Sequence, residues 1–239
     1  MPYHYSLPMK RAFLLLAALA LDSGFADAQA TVVDEGSFTI SRAGDRIGRE
    51  DFSIRHVPTT EGAYETLTRG VVVTGSHRAT VDLSTDSVGL PVRFQSKSVD
   101  GREAGDSYRA EVSGRRFSAR TTRGSGESAR ELMLPAGALI VEDGVLHPLQ
   151  FVVSRGPGSV AAIVPARGVV VTLSVEAAGT DRVSIAFQSI EARKFVVREG
   201  SNGTVREVWV DAAGRLLKVA IPAQRLVAVR DDAPRATTR

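Results

Sequence analysis

Histidine is the side chain that most often acts as a general base near neutral pH and as a metal ligand. After its first thirty residues the chain has three histidines, His56, His77 and His147, and it has no cysteine anywhere. No two of them stand two or four residues apart, the spacings that place two ligands on one face of a strand or helix. The sequence therefore predicts no metal site, although one assembled from distant residues stays open. We expect His147, which precedes Pro148, to cap a helix and His56 to end a strand.

Nucleophilic catalysis by serine needs a sharp turn of the form Gly-x-Ser-x-Gly with oxyanion donors beside it. The glycine–serine runs at 124–126 and 158–159 lack that form and indicate loops. The Gly-Pro-Gly run at 156–158 has a proline where a dinucleotide-binding loop needs a flexible backbone. Adjacent carboxylates such as Glu50 and Asp51 point to opposite faces of a strand. We therefore predict no catalytic residue, no cofactor and no enzyme; a hydrolase of unfamiliar layout stays open if a cleft brings a histidine beside a serine and a carboxylate.

Residues 1–30 have the organisation of a cleavable secretory signal. Lys10 and Arg11 precede ten apolar residues at 12–21, and Ala28-Gln29-Ala30 is a small-x-small cleavage site. No later stretch approaches the ~20 apolar residues of a membrane span, and there is no lipoprotein cysteine. We predict a periplasmic or secreted protein with a signal peptide at 1–30, a single domain at 31–231 and a disordered tail at 232–239.

The net charge of +3 is small and its charges are interspersed, so the high pI of about 9.5 does not predict nucleic-acid binding. Four arginines, Arg115, Arg116, Arg120 and Arg123, stand close together. We interpret this cluster chiefly as a solvated face with acidic neighbours, and an acidic partner surface is the alternative.

The end of the domain predicts an antiparallel meander. Apolar runs at 195–199, 205–211, 216–221 and 226–229 are separated by turn residues, among them the Asn-Gly pair at 202–203 that favours a tight hairpin. Period-two alternation places Leu217, Val219 and Ile221 on one face of the third run. Trp209 is expected on the opposite face of its strand from Val208, covered by the helix or a ligand, or simply packed in the core.

The same alternation recurs through the rest of the chain. It predicts one face shared by Leu67, Arg69, Val71 and Val73, and a buried stripe that begins at Val169 and continues through every second residue to Val175. Between 136 and 155 the period is lost, and the spacing predicts one short helix at 148–154 begun by Pro148. The fold class is therefore all-β: a large antiparallel meander forming a curved half-barrel or barrel, with one short helix, or else a two-sheet sandwich.

A curved sheet with one apolar face and one helix to cover it could hold an apolar ligand. The candidate lining residues are the apolar positions of the helix and three aromatic residues of the second half. They are Leu149, Val152, Val153, Phe187, Phe195 and Trp209.

Four strand and turn signatures lie along the predicted mature chain. They are Gly36-Ser37-Phe38-Thr39-Ile40 with Gly44 and Ile47-Gly48, His147-Pro148-Leu149, Val208-Trp209-Val210-Asp211, and Gly214-Arg215-Leu216-Leu217-Lys218-Val219. With the predicted signal they resemble exported bacterial β-rich families of unknown function, whose architecture is similar to the curved half-barrel of the lipoprotein carriers LolA and LolB. The resemblance spans most of the predicted mature chain and implies a sheet that holds acyl chains against its helices.

Two functions of different classes follow. The preferred one is a non-catalytic exported protein that binds a lipid or another apolar molecule in the curved sheet. The alternative is an envelope structural or assembly module that acts through protein contacts at exposed strand edges, favoured if side chains fill the interior.

Overall fold

The structure, a computed structural model, describes residues 30–59 and 62–235. They contain 15 strands in one sheet, one α-helix and two short 3-10 turns, which confirms the predicted all-β class with a single short helix. The helix begins at Leu149, one residue later than predicted. The predicted signal peptide lies outside the described residues except for Ala30, which is exposed; Ala28 of the predicted cleavage site is not described.

The elements follow the chain in order. They are β1 (Thr31–Arg42), β2 (Asp45–Pro58), β3 (Tyr64–Thr74), β4 (His77–Thr85), β5 (Pro91–Asp100), β6 (Glu103–Ser113), β7 (Arg116–Arg123), β8 (Gly126–Met133), β9 (Leu139–Ile140), α1 (Leu149–Ser154), β10 (Gly158–Val164), β11 (Val169–Ile185), β12 (Gln188–Glu199), β13 (Val205–Val210), β14 (Leu216–Ile221) and β15 (Leu226–Arg230).

At the centre of the sheet the first strand, β1, pairs with the last strand, β15. Starting from β1, the sheet runs through β2 and onward to β8 on one side, and through β15 and backward to β9 on the other. Neighbouring strands are antiparallel, except that the short β9 pairs with β10 in parallel. Because β8 and β9 are the opposite edges, the chain passes from one edge of the sheet to the other within residues 134–138.

That short connection curls the sheet. Fourteen steps between strands of a flat sheet would separate its edges by roughly 67 Å, whereas six residue-to-residue steps span at most roughly 22 Å. In the described chain β8 and β9 do not pair; β9 lies against β5 instead. The sheet is therefore strongly curved but not closed into a barrel.

The concave side of the sheet is filled by apolar side chains and by residues 141–155, which we call the plug segment. It begins where the Val141 N–H donates to the Ile163 carbonyl (3.1 Å) and ends where Arg155 donates to the Gly89 carbonyl (3.2 Å). Val152 of α1 is fully buried, as are Phe38 and Phe117 of the facing strands. No helix among the described residues has the length and apolar character of a membrane span.

Leu67, Arg69, Val71 and Val73 share one face of β3, as predicted, and this face is the outer one: the inward residues are Thr66, Thr68, Gly70 and Val72, and Leu67 is 37% exposed. The strand faces a polar part of the plug segment and not an apolar one. The predicted buried stripe of β11 is wrong in part. On β11 Leu173 and Val175 are buried, but Val169 lies at the end of the strand and is 41% exposed.

The predicted faces of the third meander strand are also corrected. A shift in pairing between β13 and β14 interrupts the alternation. Leu217 therefore packs with Trp209 on the outer face, whereas Val219 belongs to the main core.

The seam between β1 and β15 is held by the buried guanidinium of Arg230. It donates to both carboxylate oxygens of Asp34 (2.8 and 2.9 Å) and to the Glu35 carbonyl (2.6 Å), and its side chain is 2% exposed. Its Cζ lies 5.2 Å from the centre of the Phe52 ring. A buried ion pair is stable only when its remaining hydrogen-bonding groups are satisfied, and this fork of donors meets that condition.

We expect Arg230→Lys to lower the free energy of unfolding by about 3 kcal/mol or more, because one ammonium cannot reproduce the planar fork and Asp34 stays buried. Urea unfolding measures the loss. Arg120→Lys, which alters an exposed pair with Glu127, should change the free energy by less than about 0.5 kcal/mol. Equal effects of the two substitutions would contradict the role assigned to Arg230.

Candidate functional site

A fully buried polar cluster, Glu50, Thr68 and His147, fixes the plug segment to the sheet, and we call it the clasp. The Glu50 carboxylate accepts the backbone N–H groups of Leu146 (2.7 Å) and His147 (3.0 Å) and lies 2.7 Å from His147 Nδ1. His147 Nε2 lies 3.3 Å from Thr68 Oγ1. Since a carboxylate only accepts, the Nδ1–H of His147 donates to Glu50, and Nε2 lies within hydrogen-bond distance of the threonine hydroxyl.

The sequence around the clasp makes room for the imidazole ring. A Cβ on Gly70 would lie 2.5 Å from His147 Cε1, so only glycine allows the ring to approach β3 this closely. On its other side the ring stacks on Phe52, with centroids 6.1 Å apart. The prediction that His147 caps the helix is therefore wrong: Pro148 is the N-cap, without a side-chain cap, and the histidine side chain points to Glu50. His56, by contrast, lies near the end of β2 as predicted.

The clasp has the order of a carboxylate–histidine–hydroxyl triad, but it lacks access for a substrate. Glu50 and His147 are 0% exposed and Thr68 is 2% exposed. A hydrolase also needs oxyanion donors beside the hydroxyl, and here the backbone donors nearest the cluster are already bound to Glu50. The arrangement can hold a loop in place; it does not present a nucleophile.

The chain surface opens at one end of the curved sheet into a cavity of about 460 Å³, which we call the mouth cavity. It lies where the turns after β1, β12 and β14 meet the start of the plug segment. Its apolar lining includes Ile40, Ile47, Val145, Leu149, Leu173 and Leu226, and its charged lining comprises Arg42, Glu142, Asp143, Arg167, Glu199 and Arg206.

Ion pairs order most of the charged lining. Arg167 donates to both carboxylate oxygens of Glu199 (2.6 and 3.0 Å), and its Nε lies 3.0 Å from Asp143. The hydrogen bonds from Arg167 hold the pKa of Glu199 below its ordinary value. Arg206 lies farther away, 3.7 Å from Asp143 and 3.8 Å from Glu199.

Glu142 is the unusual acid of the mouth cavity. Burial raises its pKa from the ordinary 4.5 to about 7, although it accepts the backbone N–H groups of Asp143 (3.1 Å) and Ala166 (3.2 Å). Arg42 is exposed at the same opening, and no carboxylate of the described residues forms an ion pair with it. The mouth therefore combines an apolar wall with one cation available for an anionic or polar group.

The predicted lining residues do not form one site. Leu149 lines the mouth cavity. Val152, Val153 and Phe195 are buried in the main core. Phe187 is fully exposed at the turn between β11 and β12 and is not among the residues that line the mouth cavity.

Trp209 lies on the opposite face of β13 from Val208, as the alternation predicted. Neither the helix nor an open cavity covers it: Val183 and Ile185 of the long β11–β12 hairpin pack there. The pairing shift between Ala177 and Thr180 is what redirects the end of this hairpin. The indole N–H donates to Asp181 (3.1 Å), so the tryptophan is a core residue of a second, smaller cluster.

Sequence reasoning missed the two acids that matter most. Glu50 could have been found, because it alternates with Phe52 and Ile54 on the inward face of β2 and so predicts a buried charge that needs a partner. Glu142 had no such signal, since its burial depends on the fold of the loop around it. Across residues 30–59 and 62–235 no group of three or more histidine and carboxylate side chains could hold a metal ion.

The comparisons with known proteins show a fold and no function. No model of a known protein family matches the chain, and no curated protein matches it. A crystal structure of a beta-barrel-like protein of a domain of unknown function, DUF1849, from Brucella abortus superposes with a TM-score of 0.53 at 11% identity. The match covers 82% of this chain and 93% of that one, so the two share an all-β curved architecture.

Glu50→Ala should lower the free energy of unfolding by about 3–5 kcal/mol, because it leaves two backbone donors and the imidazole N–H buried without an acceptor. Urea unfolding gives the free energy, and hydrogen exchange should show faster exchange in 146–154. Glu176→Ala, at an exposed position of β11, is the control, with an expected change under about 0.5 kcal/mol. Unchanged exchange in the helix would contradict the clasp.

Glu142 should give the folded protein a pH-dependent stability. Its folded pKa lies above its unfolded value, so the folded state keeps a proton that the unfolded state loses. The contribution is complete below about 4.5 and is lost as pH rises to about 7. Urea unfolding over this range should show the wild type losing stability relative to Glu142→Gln. Parallel curves for the two proteins would show that Glu142 titrates normally.

Proposed function

We propose that this chain is an exported, non-catalytic binding protein that takes the apolar end of a lipid-like molecule into the mouth cavity. The observation that carries the proposal is the pairing of an apolar wall, including Leu149, Leu173 and Leu226, with a charged rim at the opening of the mouth cavity. A ligand with one apolar and one polar end matches both surfaces.

The size of the cavity sets the size of the ligand. Small-molecule sites commonly measure roughly 300–1,000 Å³ and combine apolar walls with a few placed polar groups. At about 460 Å³ the mouth cavity suits a single acyl chain or a molecule of similar volume. Arg42, exposed and without a carboxylate partner in the described chain, would receive the polar end.

The plug segment limits what the curved sheet can hold. The resemblance to LolA and LolB implied acyl chains between sheet and helices, but here Val152 and its neighbours fill that space. Uptake would therefore be confined to the end of the sheet. Export rests on the predicted signal at 1–30, and the absence of catalysis rests on the burial of the clasp.

A second function has its own support. The filled interior and the fully exposed Phe187, held on a two-residue turn at the far end of the long hairpin, favour an assembly module that binds another envelope protein. In that case ligand uptake would be absent and capture of a protein would depend on Phe187.

Native mass spectrometry of the mature protein, offered palmitate, tests the first proposal. The wild type should carry a palmitate adduct that delipidation removes. Leu226→Trp, which fills the mouth cavity, should lose about tenfold or more in affinity, corresponding to about 1.4 kcal/mol.

Leu132→Trp is the matched control, because Leu132 is also a half-buried strand leucine and lies on β8 away from the cavity. It should bind palmitate as the wild type does. A wild-type mass without a palmitate adduct, or equal palmitate binding by the two variants, would refute the mouth cavity as the site. If the wild type instead captures another protein and Phe187→Ser abolishes that capture, the second function is established.

A further inference from the structure

The outer face of β2–β6 carries a second concavity, of about 800 Å³, separate from the mouth cavity. Five neighbouring strands contribute to it, and we call it the outer trough. Its charged residues are Arg55, Arg69, Arg93, Arg109, Asp82 and Glu111.

Strand register places these side chains in a band across the sheet. Arg69 stands opposite Asp82, and Arg93 stands opposite Glu111. Arg55 on β2 and Arg109 on β6 mark the two ends, four strand spacings or roughly 19 Å apart. An adjoining depression shares Arg69 and Asp82 and adds Arg78 and Lys97. The band is thus long enough for several units of a linear chain.

The carboxylates neutralise only part of the band. Arg69 lies 3.7 Å from Asp82, and Arg93 lies 3.1 Å from Glu65. In the described part of the chain Arg55 and Arg109 form no ion pair. When Glu65 is counted with the lining, four arginines face three carboxylates and leave a formal +1, and Arg55 and Arg109 are the two arginines without a carboxylate partner in the described chain.

Arg109 has no carboxylate opposite it on either neighbouring strand. It stands opposite Gln95 on β5 and opposite Arg120 on β7, and Arg120 itself pairs with Glu127 (3.4 Å). The charge of Arg109 is therefore available to an anionic group.

The arginines of β7 differ from those of the trough. Arg116 lies 2.7 Å from Glu131 and Arg123 lies 2.8 Å from Asp106, both exposed pairs. Arg120 lies 3.4 Å from Glu127, and Arg115 donates to the Leu134 carbonyl (2.8 Å). Three of the four arginines of this cluster therefore have an exposed carboxylate partner, whereas Arg55 and Arg109 of the trough have none in the described chain.

We propose that the outer trough binds an acidic glycan chain, laid across strands β2–β6. Arginine forks bind carboxylate or sulfate groups, while Ser53, Asp82 and Gln95 offer hydrogen-bonding groups to sugar hydroxyls. Single-stranded nucleic acid fits less well, because it needs exposed aromatic rings for base stacking and the trough's one aromatic, Phe94, is 3% exposed.

Calorimetric titration with oligogalacturonate, a chain with one carboxylate per sugar, tests the proposal on the full mature protein. Binding should weaken as salt rises, and neutral dextran of the same length should not bind. Arg55→Gln with Arg109→Gln should reduce affinity roughly tenfold or more, since it removes the two arginines that are free to form charge-assisted hydrogen bonds with the ligand.

Arg116→Gln with Arg123→Gln removes the same charge from the paired arginines of β7 and should reduce affinity less than about twofold. Thermal unfolding of both double variants checks that they fold. Equal losses of affinity in the two double variants would mean that the protein attracts oligogalacturonate by its net charge alone, and this result would overturn the site. Oligothymidylate binding as tightly as oligogalacturonate would overturn the glycan assignment, and no binding to the wild type would overturn both.

Discussion

The fold depends on one topological constraint: residues 134–138 must carry the chain from one edge of a 15-stranded sheet to the other. A connection this short is incompatible with a flat sheet, so the strands curl until their edges approach. The curl creates a concave side, where apolar side chains pack and exclude water. It also brings the turns of alternate hairpins together at one end of the sheet. Both the filled core and the mouth cavity are therefore consequences of where this connection lies.

Buried polar contacts select one arrangement of the curled sheet. Arg230 joins β15 to Asp34 of β1, and the Glu50 carboxylate joins β2 to the start of the plug segment. Phe52 lies between these two groups, with Arg230 on one side and His147 on the other. Apolar packing tolerates small displacements, whereas these hydrogen-bonded groups lose their partners if the register slips. Because these contacts fix the start of the plug segment against the sheet, they also fix the shape of the mouth cavity that this segment lines.

The sequence predicted the features of the fold that depend on residues close together in the chain. Turn residues and alternation located the closing meander, and Pro148 located the helix to within one residue. Alternation held on β3 but did not show which face is buried, since Thr68 and Gly70 face inward beside His147. It failed at Leu217, where a bulge moved one side chain to the other face. Phe187 and Trp209 were both candidate lining residues; the long β11–β12 hairpin leaves Phe187 exposed at its turn and covers Trp209 with Val183 and Ile185. Contacts between residues distant in the chain decided these cases, and no local pattern reports them.

The pairing of β1 with β15 also has a kinetic consequence. Asp34 and Arg230 are 196 residues apart, so the central seam cannot form until the last strand has been synthesised and released. Contacts of such long sequence separation slow folding, because the loop they close must first be ordered at an entropic cost. Until then each half can form only a meander with an open edge where its partner half belongs. A chain built this way stays incompletely folded while it is being made, and the sheet is completed only when the final strand arrives.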